Sequence, residues 1–153
     1  SILYRDKAWL FSGHSGMGKS THTALWHKLL QTPYLNGDLN LIGIKDGIPV
    51  IYGIPWCGTS EIYTTVNYEL GGIILLGRDP EKDFLKELTP SERVIRVMQR
   101  MISPSWKERC FSRNLDFAGD IAEHVPVLYL LCTKNPSAVY TIQKEIDRLE
   151  DLR

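Results

Sequence analysis

The sequence predicts an α/β domain with a mixed, partly antiparallel sheet flanked by helices. Three observations carry this. A short apolar run, Ala8-Trp9-Leu10-Phe11-Ser12, leads into a glycine-rich stretch and then into a helical one, the start of a layered α/β unit. Two β-rich runs, residues 39–44 and 48–54, follow that helix and are joined by Lys45-Asp46-Gly47, and Asp-Gly between such runs signals a hairpin. Two more apolar runs, residues 70–76 and 125–132, are interleaved with helical stretches. A fully parallel sheet would alternate strand and helix throughout, so a hairpin directly after the first helix demands an antiparallel part.

The elements can be justified in order. Ser1-Ile2-Leu3-Tyr4 reads as a strand and residues 8–12 as a buried one. Residues 21–31 carry Ala24, Leu25, Lys28 and Leu29 at helical spacing with no Gly or Pro, and Thr32-Pro33 ends the helix. Residues 34–38 (Tyr34-Leu35-Asn36-Gly37-Asp38) suit the end of a strand beside the strand of residues 8–12, and the hairpin follows. Pro55-Trp56-Cys57-Gly58-Thr59-Ser60 is a loop, and residues 61–69 are irregular or partly extended. Thr89-Pro90-Ser91-Glu92 opens a helix with a capping residue, Pro at its first position and Glu at its third, and Val94, Val97, Met98 and Met101 form its apolar face. Ser103-Pro104 closes it. Residues 105 to about 123 read as a second helix, weakened by Asn114 and Gly119. Asn135-Pro136 starts the last helix, with Val139, Ile142, Ile146 and Leu149 on one side.

Residues 13–20, Gly13-His14-Ser15-Gly16-Met17-Gly18-Lys19-Ser20, match G-x-x-x-x-G-K-[S/T], the Walker A phosphate-binding pattern. The glycines let the backbone turn and approach a ligand closely, so that several N–H groups converge on one anion. Lys19 supplies a cation for the β- and γ-phosphates, the Ser20 hydroxyl suits Mg²⁺, and Thr21 offers its backbone N–H in the first helical turn. Strand, glycine loop, helix is the context the motif requires, and it sets the anion at a helix N-terminus. The sequence therefore points to a nucleotide, ATP, and to Mg²⁺ held by Ser20 and a carboxylate. Asp38, nineteen residues beyond Lys19, is the candidate carboxylate.

Composition narrows the classes. The 153 residues suffice for one domain with a sizeable core, and 18 basic residues balance 18 acidic ones. No charge block suggests a nucleic-acid tail, no apolar run approaches the length of a membrane span, and no secretory signal is present. Cys57, Cys110 and Cys132 lie too far apart for a disulfide framework or a zinc site, which fits a reduced, cytoplasmic setting. Because the chain opens at Ser1 without Met and already in strand-like sequence, it reads as the C-terminal part of a longer protein.

The loop Gly-His-Ser-Gly-Met-Gly-Lys-Ser-Thr, a short helix, Leu35-Asn36-Gly37-Asp38 and a hairpin together resemble the HPr kinase/phosphorylase family, over residues 8 to about 77. Pro55-Trp56-Cys57-Gly58 and the run 70–76 are similar to bacterial HPr-kinase-like and carboxykinase-like proteins, a group that includes peptide-tailoring serine kinases. The resemblance implies a P-loop, phosphoenolpyruvate-carboxykinase-like core and phosphoryl transfer from ATP to a hydroxyl, a serine in a protein, peptide or small molecule. It also implies assembly into homo-oligomers. Its members carry two adjacent aspartates after the P-loop helix, one as catalytic base and one at the metal. This chain has one, Asp38, between Gly37 and Leu39. If the pair falls on Gly37-Asp38, glycine stands at the base position. If it falls on Asp38-Leu39, Asp38 is the base and the metal loses a partner. Ile42 favours the first register. An acidic residue after the hairpin in that family corresponds to Glu61 here.

Further candidates come from residue chemistry. His14 in the loop and His22 one turn into the helix are potential acid/base groups, His22 as an alternative acceptor of the substrate proton. Trp56 could bound an acceptor pocket or cover a core edge, and Cys57 lacks a histidine partner for nucleophilic work. Arg78 and Arg113 could neutralise a transferred phosphoryl group or be solvated surface. Two other functions fit the loop. One is a small-molecule kinase of the shikimate or gluconate type, against which the hairpin argues. The other is a nucleotide-binding regulatory module without catalysis, which the single aspartate motivates.

Overall fold

The computed structural model describes residues 1–58, 60–104 and 106–152. Thr59, within the expected loop at 55–60, and Ser105, where the second helix was expected to begin, lie outside the described residues, as does Arg153. Among the described residues, seven strands form one mixed sheet and four helices flank it.

Strand β1 (Ile2–Tyr4) turns through Arg5 and Asp6 into β2 (Lys7–Ser12), which pairs with it antiparallel. Helix α1 (Lys19–Leu30) follows the glycine loop. Strands β3 (Leu41–Lys45) and β4 (Ile48–Tyr52) make the expected hairpin; Asp46 and Gly47 both adopt positive φ, 53° and 79°, the backbone a two-residue primed turn needs. Strand β5 (Tyr68–Arg78) is the spine of the sheet. Its first residues pair antiparallel with β4, its middle parallel with β2, and its end parallel with β7 (Val127–Cys132). The short β6 (Phe84–Lys86) closes the far edge against β7. Helices α2 (Pro90–Met98) and α3 (Glu108–His124) lie between β6 and β7 in sequence, and α4 (Ser137–Asp151) follows β7.

The sheet divides two cores. On one face Trp9, Phe11, Ile74, Leu76 and Leu130 pack against Trp26 of α1 and Ala138, Val139, Ile142 and Ile146 of α4. On the other, Ile73, Leu75 and Val127 pack toward Val97 of α2 and Ala118 and Ile121 of α3. Alternation along β5 explains this division, because successive side chains of a strand point to opposite faces and both faces here are covered by helices.

Three expectations need correction, and one strand was not foreseen. The buried face of α1 is His22 and Trp26 with Leu25, Leu29 and Leu30 beside them, whereas Ala24 is exposed; the spacing is helical, but its first member is a histidine and reads as polar. The apolar face of α2 is as expected, yet the helix ends at Met98, so Met101 packs on that core from the loop. Strand β6 has three residues, too few for a periodic signal. Finally, residues 34–38 form no strand beside β2. Tyr34 makes a single bridge to Ile2, with Leu3 N donating to Pro33 O and Leu35 N to Ser1 O, so β1 stands between this segment and β2.

Candidate functional site

The loop after β2 has the backbone its glycines allow. Gly16 has φ 74° and Gly18, the residue that starts α1, has φ 98°, a region that L side chains rarely adopt. Met17 N donates to His14 O at 3.1 Å and His22 N to Gly18 O at 2.8 Å, which closes the turn and begins the helix. The first turn of α1 holds no acidic residue, and no side chain caps it among the described residues. Helix α2 differs: Thr89 accepts from Glu92 N, Glu92 accepts from Thr89 N, and Pro90 stands in its first turn. The amides and positive dipole end of α1 are of the kind that can accept an anion.

Lys19 reaches back over the loop. Its Nζ donates to Gly13 O at 3.0 Å and to His14 O at 3.2 Å, which fixes the ammonium at the loop rim. Arg78, at the end of β5, donates from Nη2 to Gly16 O and ties the loop to the sheet. His14, Ser15, Gly16, Ser20 and Thr21 are exposed, while Met17 packs against the α1–α4 core.

Asp38 arrives by a route the sequence did not show. Asn36, 1% exposed, pins the segment before it: its Oδ1 accepts from Thr64 N at 3.2 Å, its Nδ2 donates to Tyr52 O at 3.4 Å, and its carbonyl is also hydrogen-bonded. Gly37 N donates to Ile62 O at 3.0 Å. From there Asp38 lines a cavity of about 600 Å³ that also exposes Ser12, Gly13 and Lys19. The two glycines near Asp38 sit in close quarters. A Cβ on Gly37 would collide with the Ser60 hydroxyl and lie 2.9 Å from Ser60 Cβ. A Cβ on Gly58, which has φ 54°, would collide with the Asp38 carboxylate. A side chain at position 37 would therefore meet the loop at Ser60, and among the described residues Asp38 is the one acidic residue lining the cavity. Ser20 sits on the exposed first turn of α1 and does not line that cavity. Among the described residues, no cluster of three or more His, Cys, Asp and Glu side chains suits a metal.

His22 is not brought together with Lys19 and Asp38. It is 4% exposed, lies on the α1–α4 face, and tilts against Phe11 with ring centroids 5.0 Å apart. Among the described residues, neither ring nitrogen has a hydrogen-bond partner. Burial lowers its pKa to about 4, the Asp83 charge opposing this, so His22 is neutral near pH 7. It borders a separate hollow of about 30 Å³ with Thr21, Arg78, Cys132 and Thr133. Burial likewise raises the Cys132 thiol to about 11, with Asp83 adding to it. Trp56 is 67% exposed, Cys57 is a free thiol, Glu61 is exposed, and Arg113 lies exposed on α3.

The rest of the cavity lies between the sheet and α2–α3. Leu10, Ile73, Leu75, Val97, Met101, Phe117 and Ile121 line it, and so does Arg100, just past α2. Sequence reasoning missed both Asn36 and Arg100. Asn36 has no local signal, since its partners are 16 and 28 residues away. Arg100 does have one: it falls between Val97 and Met101, at the border of the apolar stripe.

Comparisons with known protein families, with characterised proteins and with solved structures find no match to this chain. Among the described residues, no helix is long and apolar enough to cross a membrane.

Proposed function

We propose that this chain is an ATP- and Mg²⁺-dependent phosphotransferase of the HPr-kinase-like kind, with a phosphoenolpyruvate-carboxykinase-like core, that moves the γ-phosphoryl group of ATP to a hydroxyl. One observation carries the reading: Lys19 of the glycine loop and Asp38, separated by nineteen residues and by β1, line one cavity at the loop's mouth. The amides at the start of α1 suit the β-phosphate. Lys19 neutralises the β/γ oxygens from its place over Gly13 and His14. When bound, Mg²⁺ would offset the charge of the phosphate, and Asp38 in the cavity and Ser20 on the exposed first turn of α1 are the residues that would hold it. Asp38 takes the proton from the acceptor hydroxyl as the O–P bond forms and the bond to the β,γ-bridging oxygen breaks, leaving ADP. Positioning and charge neutralisation do most of the work in such chemistry, so one carboxylate serves where a pair is usual.

The test is transfer of label from γ-labelled ATP, with Mg²⁺, to serine-containing peptides and small hydroxyl compounds. The wild-type chain transfers label and Lys19→Ala loses about 100-fold or more, the scale for removing one charge-stabilising group. The closed position at Gly37 favours a second reading, a nucleotide-binding regulatory module. ATP binding with neither transfer nor hydrolysis, in wild type as in Lys19→Ala, would select it.

A further inference from the structure

The cavity extends beyond the glycine loop, and its chemistry is uneven. One end holds Lys19 and Asp38 beside the glycine loop; the walls beyond are Leu10, Leu75, Met101 and Phe117. A volume of about 600 Å³ is the size that encloses a small organic molecule. Ile102 on its lining is 87% exposed, so the cavity opens to solvent along that edge. Arg100 lies within these apolar walls. Its Nε is buried without a partner, and among the described residues no side-chain hydrogen bond or ion pair reaches its guanidinium. Arg100 is only partly buried and its terminal nitrogens stay within reach of solvent, so the unmet group is the Nε–H, on a side chain that remains a cation. A buried, unpaired donor on a cation is costly, and a ligand carboxylate removes the cost with charge-assisted, forked hydrogen bonds.

We propose that the acceptor is a small amphiphilic hydroxy acid: its apolar body fills the walls between the sheet and α2–α3, its carboxylate pairs with Arg100, and its hydroxyl is presented to Asp38 and the γ-phosphate. The charges agree with this, since two cations and one carboxylate line the space and Lys19 is already engaged by loop carbonyls. The identification of the hydroxyl as acceptor rests on the kinase reading; the occupancy of the cavity by an amphiphilic anion does not. The reaction balances as acceptor hydroxyl plus ATP giving phosphate monoester, ADP and a proton.

The experiment has two arms on the whole chain. In the first, a series of hydroxyalkanoates of four to twelve carbons, their methyl esters and a serine peptide compete for label from γ-labelled ATP. Transfer favours the longer acids, and acid exceeds ester by about tenfold or more, the scale of a charge-assisted pair. Arg100→Gln removes the acid–ester difference while leaving ATP affinity unchanged. In the second, calorimetry measures binding of 3-hydroxydecanoate without nucleotide to wild type and Arg100→Gln. Binding that Arg100→Gln weakens, with no transfer to any acceptor, would retain the site and remove the kinase reading. Equal use of acid and ester, preference for the peptide, or binding indifferent to Arg100 would overturn the proposal. A thermal melt of Arg100→Gln matching wild type guards against misfolding, and Met101→Trp, which fills the cavity while keeping Arg100, must also abolish hydroxydecanoate binding.

Discussion

Asp38 stands alone because of two neighbours. Ser60 occupies the space a side chain at 37 would need, and Gly58 leaves room for the Asp38 carboxylate. Gly37→Asp, which would set two aspartates side by side, is therefore expected to destabilise the fold by about 1–3 kcal/mol in urea melts, as overpacking does, without raising transfer. A gain in transfer would show that the loop at Ser60 yields. His22 gives a second prediction. Its folded pKa, about 4, lies below the ordinary 6.5, so between these values the unfolded chain takes up a proton that the folded chain refuses. Stability then falls as pH falls, by about 2 kcal/mol between pH 7 and pH 5 from this group alone. In His22→Leu that part of the acid slope disappears, and the loss of two unpartnered ring nitrogens costs little at pH 7. Urea midpoints at the two pH values measure both effects. An unchanged slope in His22→Leu would mean that His22 is protonated in the folded state.

At the scale of elements, features set by local chemistry were legible and those set by distant partners were not. The turn at Asp46-Gly47, the glycine loop and the capping box at Thr89 each depend on residues within a few positions, and each formed where the sequence put it. The path of residues 34–38 depends on β1, Tyr52 and Thr64, so its spacing from Lys19 could not reveal that β1 intervenes. The buried stripe of α1 begins at a histidine that hydropathy alone assigns to water. Strand β6 exists because β7 offers it an edge. The capping box is a test at this scale. Thr89→Ala removes the oxygen that accepts from Glu92 N, at a cost of about 1 kcal/mol, or a melting temperature lower by about 2–4 °C for a domain of this size. No shift would mean that tertiary packing alone holds the start of α2.

In the molecule as a whole, β5 joins three neighbours and separates two cores, and the functional consequences divide along it. The α1–α4 face is closed around Trp9, Trp26 and His22. The α2–α3 face is packed further from the loop but hollow beside it, and this hollow joins Lys19, Asp38 and Arg100 in one space. The glycine loop in the sequence indicated a nucleotide phosphate; the hollow was illegible because its walls come from β2, β5, α2 and α3 and meet only in the fold. The central claim is that Lys19 and Asp38 form one phosphoryl-transfer site, and Asp38→Asn separates its two halves most directly. ATP affinity, measured by calorimetry without Mg²⁺, should stay within about threefold of wild type, while label transfer from γ-labelled ATP with Mg²⁺ should fall by about 100-fold or more. Transfer by Asp38→Asn equal to that of the wild type would contradict the account.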